Sequence, residues 1–376
     1  MPPIDPFQQR AQADRARREA QGLWRQRRVI ESCDGRTLLH QGRRYLQFAS
    51  NDYLNLALGG ASPSAEGAGA SPLVTGQHRA HAELEQQLCA LTGYPAALLF
   101  SSGFAANSAP FSLLQSGDRV LADKLSHASL IDGALASPAT LRRFPHNDMD
   151  TLGHWLAQAD SPTLVVSESV FSMDGDRAPM AEMVALCQRH GALSWLDDAH
   201  GFGVIGESGL GAVESARPDL LTLTFGKALG AQGAALLGPQ WLIDALLQSA
   251  RHYIYSTALS VDQARRVSHQ LSRLSEPEHR QRLWRNIDRF QALAKSAGLP
   301  ALASDSAIVP VIIGDNERTL AVADKLKEAG IWVPAIRPPT VPKGQGRLRI
   351  VLTAAHTEAD IERLVATLAG ILEEGA

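Results

Sequence analysis

The chain has 376 residues, 36 of them basic and 39 acidic, for a formal net charge of −3; 45% are hydrophobic and 20% charged. That length allows two domains, or one large domain with a smaller satellite, and the near balance of charge gives no field that would gather nucleic acid or an anionic membrane. Small-molecule chemistry is therefore the expectation, and the three scattered cysteines (Cys33, Cys89, Cys187), without a CxxC pair, indicate neither a disulfide frame nor a structural zinc site and suit a reducing cytoplasm.

The opening MPPIDPFQQR lacks the apolar centre of a signal peptide. No later apolar run reaches the roughly eighteen residues of a membrane helix, so a cytoplasmic protein with no membrane partner is expected. Residues 10–28 are rich in arginine, but Asp14 and Glu19 interrupt them, and Ala11, Ala16, Ala20 and Leu23 lie near helical spacing. This reads as a solvated amphipathic helix rather than a nucleic-acid arm, within an N-terminal helical arm over residues 1–40. The low-complexity stretch GGASPSAEGAGASPLVTG, residues 59–76, fits either a linker or a mobile binding segment.

Between about residues 95 and 240 the runs AALLFSS, RVLAD, TLVVSES, LSWLDDAH, LLTLTFG and AALLG alternate with helix-like patterns. Several of these runs are unbroken by polar residues, which predicts strands buried on both faces in a mainly parallel sheet. Residues 260–296 turn helical and charged. The runs AIVPVII, IWVPAI and RLRIVLT then alternate with further helices, the last with Ile361, Leu364, Val365, Leu368 and Leu372 on one stripe. The expected class is α/β, with a large domain over residues 41–280 and a smaller α+β domain over residues 281–376.

Gly201, Gly203 and Gly206 in HGFGVIG satisfy GxGxxG after an apolar run, as a dinucleotide fingerprint should. The fingerprint needs a helix opening at the third glycine, whereas ESGLGAVES continues with Gly209 and Gly211 and shows no helical stripe. In FSSGFAANSAPFSLL a strand gives way to Ser101, Ser102 and Gly103 and then to a helix-like run. Such a helix start can bind a phosphate or simply be a capped turn.

The run DDAH, residues 197–200, follows LSWL at what would be the carboxyl edge of the sheet, where ligand crevices form. It can be read as a metal site, as a turn-forming Asp pair, or as the partner of a heterocyclic cation. Lys227 ends the apolar run LLTLTFG among small residues with no polar neighbour, and partial desolvation would keep its amine nucleophilic. A strand-end Asp197 followed by a strand-end Lys227 makes the third reading coherent. Pyridoxal phosphate needs its ring nitrogen held protonated, its aldehyde held by a lysine as a Schiff base, and its phosphate neutralised. Asp197, Lys227 and the SSGF turn with Thr224 offer those three functions, and His127 in LSHASL can lie over the ring or merely cap a helix.

The motifs SNDYL (50–54), SGFAAN (102–107), LSHASLIDGA (125–134), FSMDGD (171–176), DDAHGFGVIGE (197–207), TFGKALG (224–230) and IRPPTVPKGQGRLRIVLTAAH (336–356) together resemble the pyridoxal-phosphate-dependent α-oxoamine synthases over nearly the whole chain. The resemblance implies a type I aminotransferase-like fold with a seven-stranded sheet and a homodimer with its active site between subunits. It also implies decarboxylative condensation of L-alanine with a pimeloyl thioester of CoA or an acyl carrier protein. Lys227 would be the Schiff-base lysine and Asp197 the pyridinium partner; Gly103, Phe104, Ser172, His200 and Thr224 would contact the cofactor and His127 would stack on it. Arg25 in LWRQRR, or Arg27 or Arg28 in the same run, would bind substrate together with His127, Thr340 and Arg349, Arg349 gripping the amino-acid carboxylate, while Asn51 and Glu168 match further active-site positions. The segment after NDYLNL is shorter than the family's usual one, which bears on the loop over the site. Sister enzymes using glycine or serine with other acyl-CoAs, and a silent partner subunit, are the alternatives; a silent subunit would be expected to lack the lysine.

Overall fold

The computed structural model describes residues 16–17, 19–22, 32–34, 36–50, 53–55 and 67–374. Most of the expected helical arm, most of residues 55–68, Arg25 and Asn51 lie outside those residues. Strands β1 (Ser32–Cys33), β2 (Thr37–His40) and β3 (Arg43–Gln47) run antiparallel to one another. The large sheet follows, from β4 (Ala96–Phe100), β5 (Arg119–Asp123), β6 (Thr140–Phe144), β7 (Thr163–Glu168), β8 (Leu193–Asp197), β9 (Leu220–Thr224) and β10 (Ala234–Gly238).

Its order is β4-β10-β9-β8-β7-β5-β6, and only β10 runs antiparallel to its neighbours. The expected type I aminotransferase-like sheet of seven strands, mainly parallel, is what forms. Alternate residues serve opposite faces: Leu99, Leu121, Val165, Leu196 and Leu221 join one apolar core, while Leu98, Val120, Val166, Trp195 and Leu236 join another. Because both faces are covered, the sequence of these strands is a continuous apolar run rather than an alternation. Each such buried side chain is worth about 1.5–3 kcal/mol.

The helices that cover the sheet and its flanks are α1 (Arg79–Thr92), α2 (Gly103–Ser108), α3 (Ala128–Ala136), α4 (Met149–Ala157), α5 (Met180–His190), α6 (Gln240–Ser249), α7 (Arg251–Ile254), α8 (Val261–Arg273) and α9 (Pro277–Ser296). Beyond them come β11 (Ile308–Gly314), α10 (Asn316–Glu328), β12 (Ile331–Trp332), β13 (Ala335–Ile336), β14 (Gly346–Val351) and α11 (Glu358–Glu374). A third, small antiparallel sheet has the order β11-β14-β13. The run IWVPAI is divided between two sheets, since β12 pairs in parallel with β3 while β13 pairs with β14. The hairpin near the amino terminus therefore shares its sheet with the C-terminal third. Ile361, Leu364, Val365 and Leu368 of α11 are buried, as the stripe predicts. Among the described residues no helix is long and apolar enough to cross a membrane.

The glycines of HGFGVIG have packing reasons. No helix opens at Gly206; the chain passes through turns to a short 3-10 segment at Gly211–Glu214. Gly203 has φ +83°, and a Cβ there would meet Ala228 Cβ at 2.6 Å. A Cβ on Gly201 would collide with the buried Asp198 carboxylate.

Candidate active site

Parallel strands deliver their carboxyl ends to one edge, and the site is built there. In register, Glu168 at the end of β7 lies beside Asp197 at the end of β8, and Asp197 beside Thr222 of β9. After Thr224 the chain turns tightly, with Phe225 fully buried and its N–H bonded to Gly233 O at 2.9 Å, while Ala231 N donates to Phe225 O at 2.8 Å. This pinned turn sets Lys227 over the sheet edge. Across the edge, β4 ends at Phe100, and Ser102 caps α2 by accepting from Ala105 N at 3.2 Å. The amides of Gly103 and Phe104, in the first turn of α2, have no acceptor within their own helix.

These pieces enclose a cavity of about 200 Å3 lined by Gly103, Phe104, Asn107, His127, Ser129, Glu168, Asp197, Ala199, His200, Thr224 and Lys227. Seven of the sequence-predicted cofactor and catalytic residues, with Glu168, thus share one wall. Asp197 is held by Asn107 Nδ2 at 2.6 Å and by the Ala199 N–H at 3.0 Å. His127 does both things considered for it. It caps α3, its Nδ1 accepting from Ser129 N at 3.2 Å, and it also lines the cavity. That bond places the proton of the neutral ring on Nε2.

Burial dominates the electrostatics. Desolvation lowers the Lys227 ammonium below its ordinary value against the opposing pull of Asp197 and Glu168, with Arg349 adding to the lowering. Desolvation also lowers His127 despite the nearby Asp197, and holds His200 well below the usual range, helped by Lys227, Arg349 and His127. Glu168 goes the other way: burial, reinforced by Asp197, raises its carboxyl well above the ordinary range. The next carboxylate, Asp198, is structural. It accepts from Ser169 Oγ and, at 2.8 Å, from Ala212 N, and burial raises it to about 7.

The other candidates lie elsewhere. Arg349 on β14 is buried, and its Nε donates to Ser172 O at 2.6 Å; Ser172 meets the site through that carbonyl and does not line the cavity. Thr340 is exposed on the loop before β14 and does not line the cavity either. Sequence reasoning missed three groups. Asn107 stands one turn inside α2 in SGFAAN, the one amide side chain in that motif. Ser129 is two residues beyond His127. Tyr53 in SNDYL is buried with its hydroxyl 2.6 Å from His200 Nδ1. Tyr53 carried no signal beyond lying in a matched motif.

The donor set fits pyridoxal phosphate. A desolvated lysine, a hydrogen-bonded carboxylate, a threonine with only long contacts (3.4 and 3.5 Å) and a helix start surround one space, which also holds two unpaired buried oxygens, Glu168 Oε1 and Asn107 Oδ1. Among the described residues no group of three or more His, Cys, Asp or Glu side chains is placed to hold a metal ion.

Residues 43–368 match the family described as aminotransferase class I and II. The chain is 47% identical over 376 residues to the 8-amino-7-oxononanoate synthase of Vibrio vulnificus (strain CMCP6), covering 97% of each chain. It is 48% identical over 376 residues to that of Cronobacter sakazakii (strain ATCC BAA-894), covering 96% of this chain and 98% of the other. A serine palmitoyltransferase variant from S. paucimobilis with PLP and myriocin bound superposes with a TM-score of 0.90 at 27% identity, over 98% of this chain and 99% of that one.

Proposed function

The chain belongs to the aminotransferase class I and II family and, within it, to the 8-amino-7-oxononanoate synthases of biotin biosynthesis, and from that premise we propose that it condenses L-alanine with a pimeloyl thioester. The products are 8-amino-7-oxononanoate, carbon dioxide and free thiol, and the cytoplasm is the place for the reaction. The observation that carries this reading is the shared cavity of Lys227, Asp197, Thr224 and the start of α2.

Pyridoxal phosphate, when bound, supplies an electron sink for charge developing at the amino-acid α-carbon. Thr224 Oγ1 and the amides of Gly103 and Phe104 would hold its phosphate, Asp197 its ring nitrogen, Lys227 its aldehyde carbon, and His127 and His200 the ring. Once the amino group of L-alanine takes its place, the freed Lys227 amine, disfavoured as an ammonium by its burial, would take the α-proton and later return one. Arg349, oriented by Ser172 O, grips the substrate carboxylate until it departs as carbon dioxide. In that sequence the Cα–H bond breaks, a C–C bond forms to the thioester carbonyl, the C–S bond breaks to release thiol, and Cα is reprotonated after decarboxylation. Thr340 is assigned to the acyl substrate, and Arg25 to substrate binding, by their matching motifs.

The same family reading makes the working unit a homodimer. Support comes from the half-exposed Phe104, which lines the cavity and also an outer groove of about 660 Å3 with Tyr255 and Arg251.

The decisive assay incubates the PLP-loaded chain with L-alanine and pimeloyl-CoA and follows release of carbon dioxide and thiol. Wild type is expected to turn over with L-alanine in preference to glycine and serine, and K227A to fall by at least about a thousandfold. Undiminished turnover by K227A would refute the assignment of the lysine. Preference for serine with a longer acyl-CoA would instead place the chain with the serine palmitoyltransferases.

A further inference from the structure

Tyr53 is 1% exposed and stands between two parts of the site. Its hydroxyl is 2.6 Å from His200 Nδ1, and the Arg349 guanidinium lies near the same hydroxyl. A guanidinium only donates, so the hydroxyl proton does not go to Arg349. A separation of 2.6 Å is short for an N–H donor but ordinary for an O–H donor, which directs the hydroxyl proton to Nδ1. Burial pushes Tyr53 up to about 12, so that proton stays on the phenol at neutral pH. Burial, with Lys227, Arg349 and His127 close by, likewise keeps His200 neutral. A neutral imidazole that accepts at Nδ1 carries its own proton on Nε2. His200 lines the cavity together with Lys227 and Asp197, and Nε2–H is the polar group it has left to offer there.

We propose that Tyr53 is a positioning residue that fixes His200 as an Nε2–H donor toward the cofactor ring and links that donor to the carboxylate grip of Arg349. The proposal rests on reading the cavity as a pyridoxal phosphate site with Arg349 as the carboxylate arginine. A carboxylate arriving at Arg349 neutralises the guanidinium and weakens its electrostatic pull on the Tyr53 hydroxyl. The change passes through the hydroxyl to Nδ1, and so alters how strongly Nε2–H donates. Filling the amino-acid site would thereby retune the ring before any bond to the acyl donor forms. A buried tyrosine that merely packed would need neither partner.

The test uses the visible absorption band of the PLP-loaded chain, titrated with pH and then with L-alanine, in wild type, Y53F, H200N and the double variant, each checked for folding by thermal melting without PLP. Y53F is expected to fold and bind PLP, to shift the pH midpoint of the band, and to need about tenfold more L-alanine for half of the spectral response. The double variant is expected to shift no further than H200N alone. A Y53F band and alanine response equal to wild type, or a double variant that shifts beyond H200N, would overturn the proposal. Should Y53F fail to fold, H200N alone must change both the band and the alanine response; a change in the band alone also overturns it. A wild-type chain that shows no visible band with PLP refutes the cofactor reading instead, so the two failures are distinguishable.

Discussion

Asn107 donates through one Nδ2 to both Ser129 Oγ (2.9 Å) and Asp197 Oδ2 (2.6 Å) while its Oδ1 stays unpaired in the interior. Replacing it by alanine removes the side-chain donor from Asp197 and leaves only the Ala199 N–H, so the carboxylate can rotate away from the ring it is proposed to face. A hydrogen bond to a charged group is worth about 1.5–3 kcal/mol, and N107A is expected to lower kcat roughly 10- to 100-fold while the chain still binds PLP. Steady-state kinetics with L-alanine check this; an unchanged kcat would make Asn107 a packing residue. Asp197 and Lys227 were legible in the sequence because each follows an apolar run that reads as a buried strand, and the carboxyl ends of such strands open on a crevice. Asn107 and Tyr53 were not, because an amide inside a short helix and a tyrosine beside a turn acquire their roles only from partners distant in sequence, 90 residues away for Asn107 and 147 for Tyr53.

Among the elements, the segment FSMDGD after β7 connects the large sheet to β14. From one side His146 bonds Asp123 Oδ1 at 3.0 Å and Asp176 Oδ2 at 2.7 Å, with its ring edge-on to Phe171. From the other side the buried Arg347 bonds Asp174 Oδ1 at 2.6 Å and Arg349 bonds Ser172 O. Burial opposes the imidazolium, but the two carboxylates outweigh it and raise His146 to about 10. Since the folded pKa exceeds the unfolded value of about 6.5, the stabilisation is complete below about pH 6.5 and is lost as pH rises toward 10. H146Q is therefore expected to be less stable than wild type by on the order of 2 kcal/mol at pH 6, with the difference shrinking by pH 10. Urea unfolding at the two pH values measures it, and a gap that is constant or grows with pH would contradict the sign. This clamp was invisible in the sequence, as was β6. The strand TLRRF lies at the sheet edge with exposed charges, Arg142 resting over Trp155, so it lacks the apolar signature that identified the other six strands. Strand β3 escaped for the same reason, since Arg43 and Arg44 are exposed, and β1 and β2 stand within residues 1–40, which were expected to be a helical arm.

For the whole molecule, the proposed homodimer and the proposed cofactor site are linked through Phe104, which is 47% exposed and borders both the cavity and the outer groove. Tyr255 (71% exposed) also lines that groove. Large apolar groups gathered in one place on a chain of near-neutral charge mark an interaction surface more often than a solvated one. If a second copy covers the groove, anything that orders α2 and the Phe104 backbone also orders the contact, and binding at one site must strengthen the other by linkage. Light scattering on the wild-type chain at micromolar concentration is then expected to give twice the single-chain mass, with PLP lowering the concentration at which the pair dissociates. Y255D, which buries a charge in the contact without touching the cavity, should shift the mass toward one chain and weaken PLP binding in parallel. A wild-type chain that stays single at tens of micromolar would remove the dimer. A Y255D chain that becomes single yet binds PLP as tightly as wild type would keep the dimer but break its link to the cofactor.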